Sequence, residues 1–140
     1  MMSISKIRSE SRSRRYWTTI FYFFLIVIII TNILDHATTY AGVTMFGFKE
    51  LNPLVERLTW TDEGMYIMLG MKSLVIGALF LLKKPFVQMM CHPTIWGKIL
   101  GFIFLNLMIF TAMMGINIVI SNHDLLCRAI PSYPFCEVLY

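Results

Sequence analysis

A carboxylate and an imidazole stand side by side at Asp35 and His36, and the hydroxyls of Thr38 and Thr39 follow. Glu50 and Asn52 come a little further on, all within the stretch TNILDHATTYAGVTMFGFKELNPLVERL (31–58). Beyond it, Lys72 is the single charge inside the apolar run 64–82. These groups could support three kinds of chemistry. Carboxylate and ammonium can hand on a proton or hold a cation. Asp35, His36 and Glu50 can act as metal ligands or acid–base groups. Asp35 or Glu50 can also pair with Lys72 and tie two helices together, because an ammonium inside an apolar segment costs about 2.5–3.5 kcal/mol when left unpaired.

The elements that must position these residues follow from composition. Hydrophobic residues make up 57% of the 140-residue chain and mean hydropathy is +0.68, which places it with integral membrane proteins. Three runs are long enough to cross an apolar core of about 30 Å as helices: 16–34, 64–82 and about 95–120. The expected fold class is all-α, a bundle of three transmembrane helices plus a short interfacial helix. In domain terms this gives a basic tail over 1–15, the transmembrane domain over 16–122 and a second tail over 123–140.

Charge at the span ends predicts the orientation. Lys6, Arg8, Arg12, Arg14, Arg15, Lys83, Lys84 and Lys98 fall on one side, and Lys49, Arg57 and Arg128 on the other. The positive-inside rule then puts the N-terminus in the cytoplasm and the C-terminus outside, in the cell membrane. The first apolar run is longer than a signal-peptide core and is followed by no clear small-x-small cleavage site, so it is expected to be retained. Cys127 and Cys136 fall on the side where disulfides persist, separated by a segment turned by Pro131 and Pro134, and are expected to pair; Cys91 is expected as a reduced thiol. A zinc site from His123, Asp124, Cys127 and Cys136 is the weaker reading, since paired CxxC spacing is missing.

If the first helix continues to Tyr40, then Thr31, Asp35, Thr38 and Thr39 share one face, with His36 about a quarter turn away. A turn centred on Gly42 and Gly47 follows. Asn52 as N-cap and Pro53 at the first helical position predict a short helix in KELNPLVERLTW (49–60), lying along the membrane surface. Thr61, Asp62 and Glu63 should cap and charge the front of the second span. Gly70, Ser73 and Gly77, and separately Gly97 and Gly101, read as small-residue faces, either for an internal bundle or for docking to a larger partner. Asn106 and Asn117, eleven residues apart, share nearly one face and can hydrogen-bond to a neighbour.

The order Asp-x3-Thr (Asp35, Thr39), then Gly-x2-Glu-x-Asn-Pro (Gly47, Glu50, Asn52, Pro53), then an intramembrane Lys (Lys72) resembles a family of small polytopic membrane proteins of archaea and bacteria with no assigned activity. The likeness covers roughly 16–82 and implies that Asp35, Thr38 or Thr39, Glu50, Asn52 and Lys72 belong to one polar cluster.

Other chemistry finds little support. A Gly-rich phosphate loop, GxSxG, HExxH and CxxCH are all missing, no cofactor is expected, and eleven methionines are ordinary lipid-compatible side chains rather than a copper site. His36 and His123 are weak metal candidates only. The clustered basic residues mark topology rather than a nucleic-acid surface. The leading expectation is a non-catalytic accessory or assembly subunit of a larger membrane complex, partnered by lipid and by other subunits or by itself. A small oligomeric transporter using Asp35, Glu50 and Lys72 comes second, and a membrane enzyme or metal-binding protein third.

Overall fold

The computed structural model describes the backbone of residues 4–45 and 61–129. The elements are helix α1 (Ile4–Tyr40), a π-helical turn (Ala41–Met45), α2 (Asp62–Leu81), α3 (Lys83–Met90) and α4 (Ile95–Ala129). Three helical stretches, Glu10–Val43, Asp62–Met90 and Ile95–Arg128, are long and apolar enough to cross a membrane. Large apolar side chains such as Phe23, Ile30, Leu74 and Leu81 point outward and are more than half exposed. Helices that are apolar all round need either a protein interior or lipid around them. The three apolar helices are compatible with a multi-pass membrane protein.

The helices outrun their apolar cores. α1 takes in most of the basic segment before Tyr16, and the turn expected at Gly42 is a π-helical continuation of α1. α4 runs nine residues past Ile120 and so includes Asn122, at the edge of the expected transmembrane domain, and His123, Asp124 and Cys127, which the sequence had assigned to a tail. A backbone that enters a helix satisfies each new N–H internally, so polar side chains alone do not stop it. The short helix expected over 49–60, with Glu50 and Asn52, lies outside the described residues, as does Cys136.

Local caps explain the breaks. The N–H of Gly64 donates to Thr61 Oγ1 at 3.0 Å, and Asp62 and Glu63 occupy the positive first turn of α2, as expected. Pro85 sits in the first turn of α3, where its missing N–H interrupts no helical bond. Thr94 caps α4 by accepting from Gly97 N at 3.4 Å, and His92 Nδ1 in turn accepts from Thr94 N at 3.2 Å.

The chain divides into two compact units. The first comprises Met1–Ile29 and Val75–Ala112. Its core is a set of fourth-residue pairs: Phe21 and Leu25 with Ile28 on α1, Phe86 and Met90 on α3, and Met108 and Ala112 on α4. Phe21, Phe86 and Phe104 form an aromatic triangle with centroids 5.5–6.5 Å apart, extended by the edge of Trp17 against Phe86 at 6.4 Å. Lys83 donates to Tyr22 Oη at 2.9 Å while its ammonium lies 5.1 Å from the same ring's centre. Gly97 and Gly101 abut His92 and Met90, so the expected close approach is made, within a helical hairpin.

The second unit comprises Ile30–Leu74 and Met113–Tyr140. It buries Thr31 on α1, Met65 and Met68 on α2 and Leu126 on α4. Gly115 of α4 faces Thr31, and a Cβ built on it would lie 2.5 Å from Thr31 Oγ1, so only glycine admits this approach.

Two sets of candidate packing residues meet no other helix among the described residues. Gly70 and Gly77 have no neighbouring atom within 4 Å of a built Cβ, and Ser73 is exposed, so that ridge meets none of the described residues. Ser73 bonds back to Leu69 O at 2.8 Å. Asn106 likewise bonds back to Phe102 O of its own helix at 2.8 Å, and both Asn106 and Asn117 are exposed. A polar side chain on a helix finds the carbonyl four residues earlier without any partner helix, which is why spacing alone misled.

Candidate functional site

Within the second unit three helical stripes converge. Thr31, Asp35 and Thr38 recur at i, i+4 and i+7 on α1; Met65, Met68 and Lys72 at i, i+3 and i+7 on α2; Gly115, Asn122 and Leu126 at i, i+7 and i+11 on α4. Each sequence of steps returns to one face of its helix. On all three, a polar group sits in line with buried apolar or small neighbours.

Asp35 is the hub. Lys72 Nζ lies 2.5 Å from its Oδ2, and both side chains are about one-fifth exposed. Asn122 Nδ2 donates to Asp35 Oδ1 at 3.0 Å and reaches Thr38 Oγ1 at 3.3 Å. Thr39 Oγ1 donates to Asp35 Oδ1 at 3.4 Å. Thr38 Oγ1 donates to the carbonyl of Leu34 at 2.9 Å, so it is free to accept from Asn122 with a lone pair. Both carboxylate oxygens are thus engaged, one by a cation and one by two neutral donors. This is the arrangement that lets a charged pair persist away from bulk water.

The sequence put Lys72 opposite Asp35 or Glu50; the observed partner is Asp35, while Glu50 and Asn52 fall outside the described residues. Thr38 and Thr39 join the cluster as anticipated. Asn122 was missed. Its signal was present in its seven-residue spacing from Gly115, but the end of the apolar run at Ile120 hid it.

His36 projects away from this hub. Its Nδ1 is shielded from solvent and has no hydrogen-bond partner among the described residues. At the end of α4, Cys127 Sγ lies 3.7 Å from His123 Nδ1, and Asp124 pairs with Arg128 at 2.7 Å. No group of three or more His, Cys, Asp and Glu side chains among the described residues could hold a metal. Cys91, in the turn after α3, is a free thiol whose Sγ contacts Ser13 Oγ at 3.6 Å.

The chain was compared with family models, curated proteins and solved structures, and nothing matches it.

Proposed function

We propose that this chain is a multi-pass membrane protein acting as a non-catalytic accessory or assembly subunit of a larger membrane complex. The observation that carries this reading is the Asp35–Lys72–Asn122 network, in which α1, α2 and α4 each contribute one member and both carboxylate oxygens are engaged. Such a network fixes helix register and engages both carboxylate oxygens with partners inside the chain. The N-terminus is cytoplasmic and the C-terminus outside, by the distribution of Lys and Arg. Cys127 pairs with Cys136 on the outer side, and 49–60 forms the interfacial helix.

Purification in mild detergent followed by a native gel tests the proposal. Migration in a stable complex much larger than the chain supports it; a monodisperse lone chain overturns it. A homo-oligomer would favour a small transporter instead. One observation speaks for that second reading: Lys72 has three N–H donors and a single acceptor among the described residues.

A further inference from the structure

Charge is divided unevenly along the chain. The first unit contains eight lysines and arginines and a single acid, Glu10, which pairs with Arg14 at 3.2 Å. Arg12, Arg15, Lys84 and Lys98 are exposed and ion-pair with none of the described residues. Acids outside the described residues do not reach them. Glu50 and Glu56 each lie five residues from a described helix end and Glu137 eight, tethers of at most about 18 and 29 Å. Along the helix from those ends, Met45, Thr61 and Ala129, the nearest cation of the first unit is about 33 Å away or more.

Two contacts place these cations against one another. Lys83 Nζ donates to Tyr22 Oη at 2.9 Å and lies 5.1 and 5.9 Å from the ring centres of Tyr22 and Phe80. At the other end of α3, Cys91 Sγ meets Ser13 Oγ at 3.6 Å. α3 therefore runs antiparallel to α1, from the level of Tyr22 to that of Ser13. Arg12, Arg15 and Tyr22 recur at i, i+3 and i+10 on one face of α1, so Arg15 stands about 10 Å along the helix from the hydroxyl that holds Lys83.

We propose that this face of the first unit binds an anionic phospholipid, with the headgroup phosphate between Arg15 and the Lys83–Lys84 pair. Tyr22 lies six residues, about 9 Å, inside the apolar run that opens at Tyr16. In a bilayer, Lys83 and Lys84 start below headgroup level and their stems rise toward it. Tyr16 and Trp96, 59% and 72% exposed, mark that level. A soluble polyanion approaches only from water. A phospholipid brings its phosphate to the boundary and lays its chains on the exposed Ile26, one turn beyond Tyr22, and Phe80, whose ring is 6.4 Å from that of Tyr22. A zwitterionic headgroup adds an ammonium to a face that already carries surplus positive charge. In the orientation proposed above, this end meets the cytoplasmic leaflet, where anionic lipids concentrate. The site rests on insertion of the chain in a membrane and not on its role as a subunit.

The test uses the full chain carrying Trp60→Phe, so that Trp17 and Trp96, both of the first unit, report by fluorescence. Phosphatidylcholine nanodiscs receive increasing fractions of brominated phosphatidylglycerol or, separately, brominated phosphatidylcholine. Half-quenching by the anionic lipid is expected at a mole fraction at least tenfold lower, with a preference that weakens as salt rises. Arg15→Gln and Lys84→Gln, both at exposed positions, should each cut the preference about fivefold. Arg128→Gln, in the second unit, should leave it unchanged. Equal quenching by the two lipids, a preference that survives in both variants, or one that falls as far in Arg128→Gln overturns the proposal. Loss of the preference on adding inorganic phosphate at constant ionic strength would assign the face to a free anion and overturn it too. Quenching by neither lipid would remove the membrane reading with it, whereas a preference shown by a chain that migrates alone would keep this site and remove only the subunit role.

Discussion

Removing Lys72 and removing Asp35 should not cost the same, and the difference can be read from the hydrogen bonds. In Lys72→Met the orphaned carboxylate keeps Asn122 and Thr39 as donors, so the loss falls at the lower end of the range for a broken buried pair, about 3 kcal/mol. In Asp35→Leu the ammonium of Lys72 keeps no acceptor among the described residues, which moves the loss toward about 5 kcal/mol, less whatever its long stem recovers by reaching for water. The double variant Asp35→Leu/Lys72→Met carries neither charge. What remains is the amide of Asn122, deprived of its main acceptor, at about 1–2 kcal/mol. Reversible unfolding of each variant in mixed micelles, followed by far-ultraviolet circular dichroism, measures all three. The double variant should be more stable than either single. Effects that add to within about 0.5 kcal/mol would refute the coupling. Lys72→Met with wild-type stability but lost ion flux would replace the structural reading by the transport one.

Gly115→Ala places a methyl group against Thr31 Oγ1 and should destabilise by about 1–3 kcal/mol, with rescue by Thr31→Ala; Gly77→Ala, in open space, should stay within about 0.5 kcal/mol of wild type by the same assay. A membrane-impermeant maleimide should leave Cys91 unlabelled in intact cells and label it after permeabilisation, whereas labelling of Cys91 in intact cells would invert the orientation. Intact mass before and after reduction should differ by the two hydrogens of a disulfide, and the difference should vanish in Cys136→Ala; persistence there would mean a different pairing.

The class of this protein was written in its local composition. Apolar runs of helical length, flanked by basic residues, need no tertiary information to be read, because each backbone segment satisfies its own hydrogen bonds within the helix and each side chain meets the same apolar surroundings. The cap at Thr61 was legible for the same reason, its partner being three residues away. The pairing of Lys72 with an acidic residue was legible from cost, since a lone ammonium in an apolar span demands an opposite charge.

Which acid it takes was a different matter. Asp35 and Lys72 are 37 residues apart and Asn122 is 87 from Asp35, and only the register of three helices brings them to one point. That register is set by packing, above all by the approach that Gly115 permits at Thr31, and packing depends on shapes that no window of sequence contains. The glycines of α2 meet none of the described residues, for the complementary reason that a small residue allows an approach but does not require one. His36, read from sequence as a weak metal ligand or acid–base group, lines a pocket with Asp62, Met65 and Tyr66 of the next helix. The sequence by itself determined three long apolar helices and the presence within one of them of a charge to be paired; the tertiary structure alone decided its partner and the third member of the network, because those depend on side chains distant in sequence meeting in space.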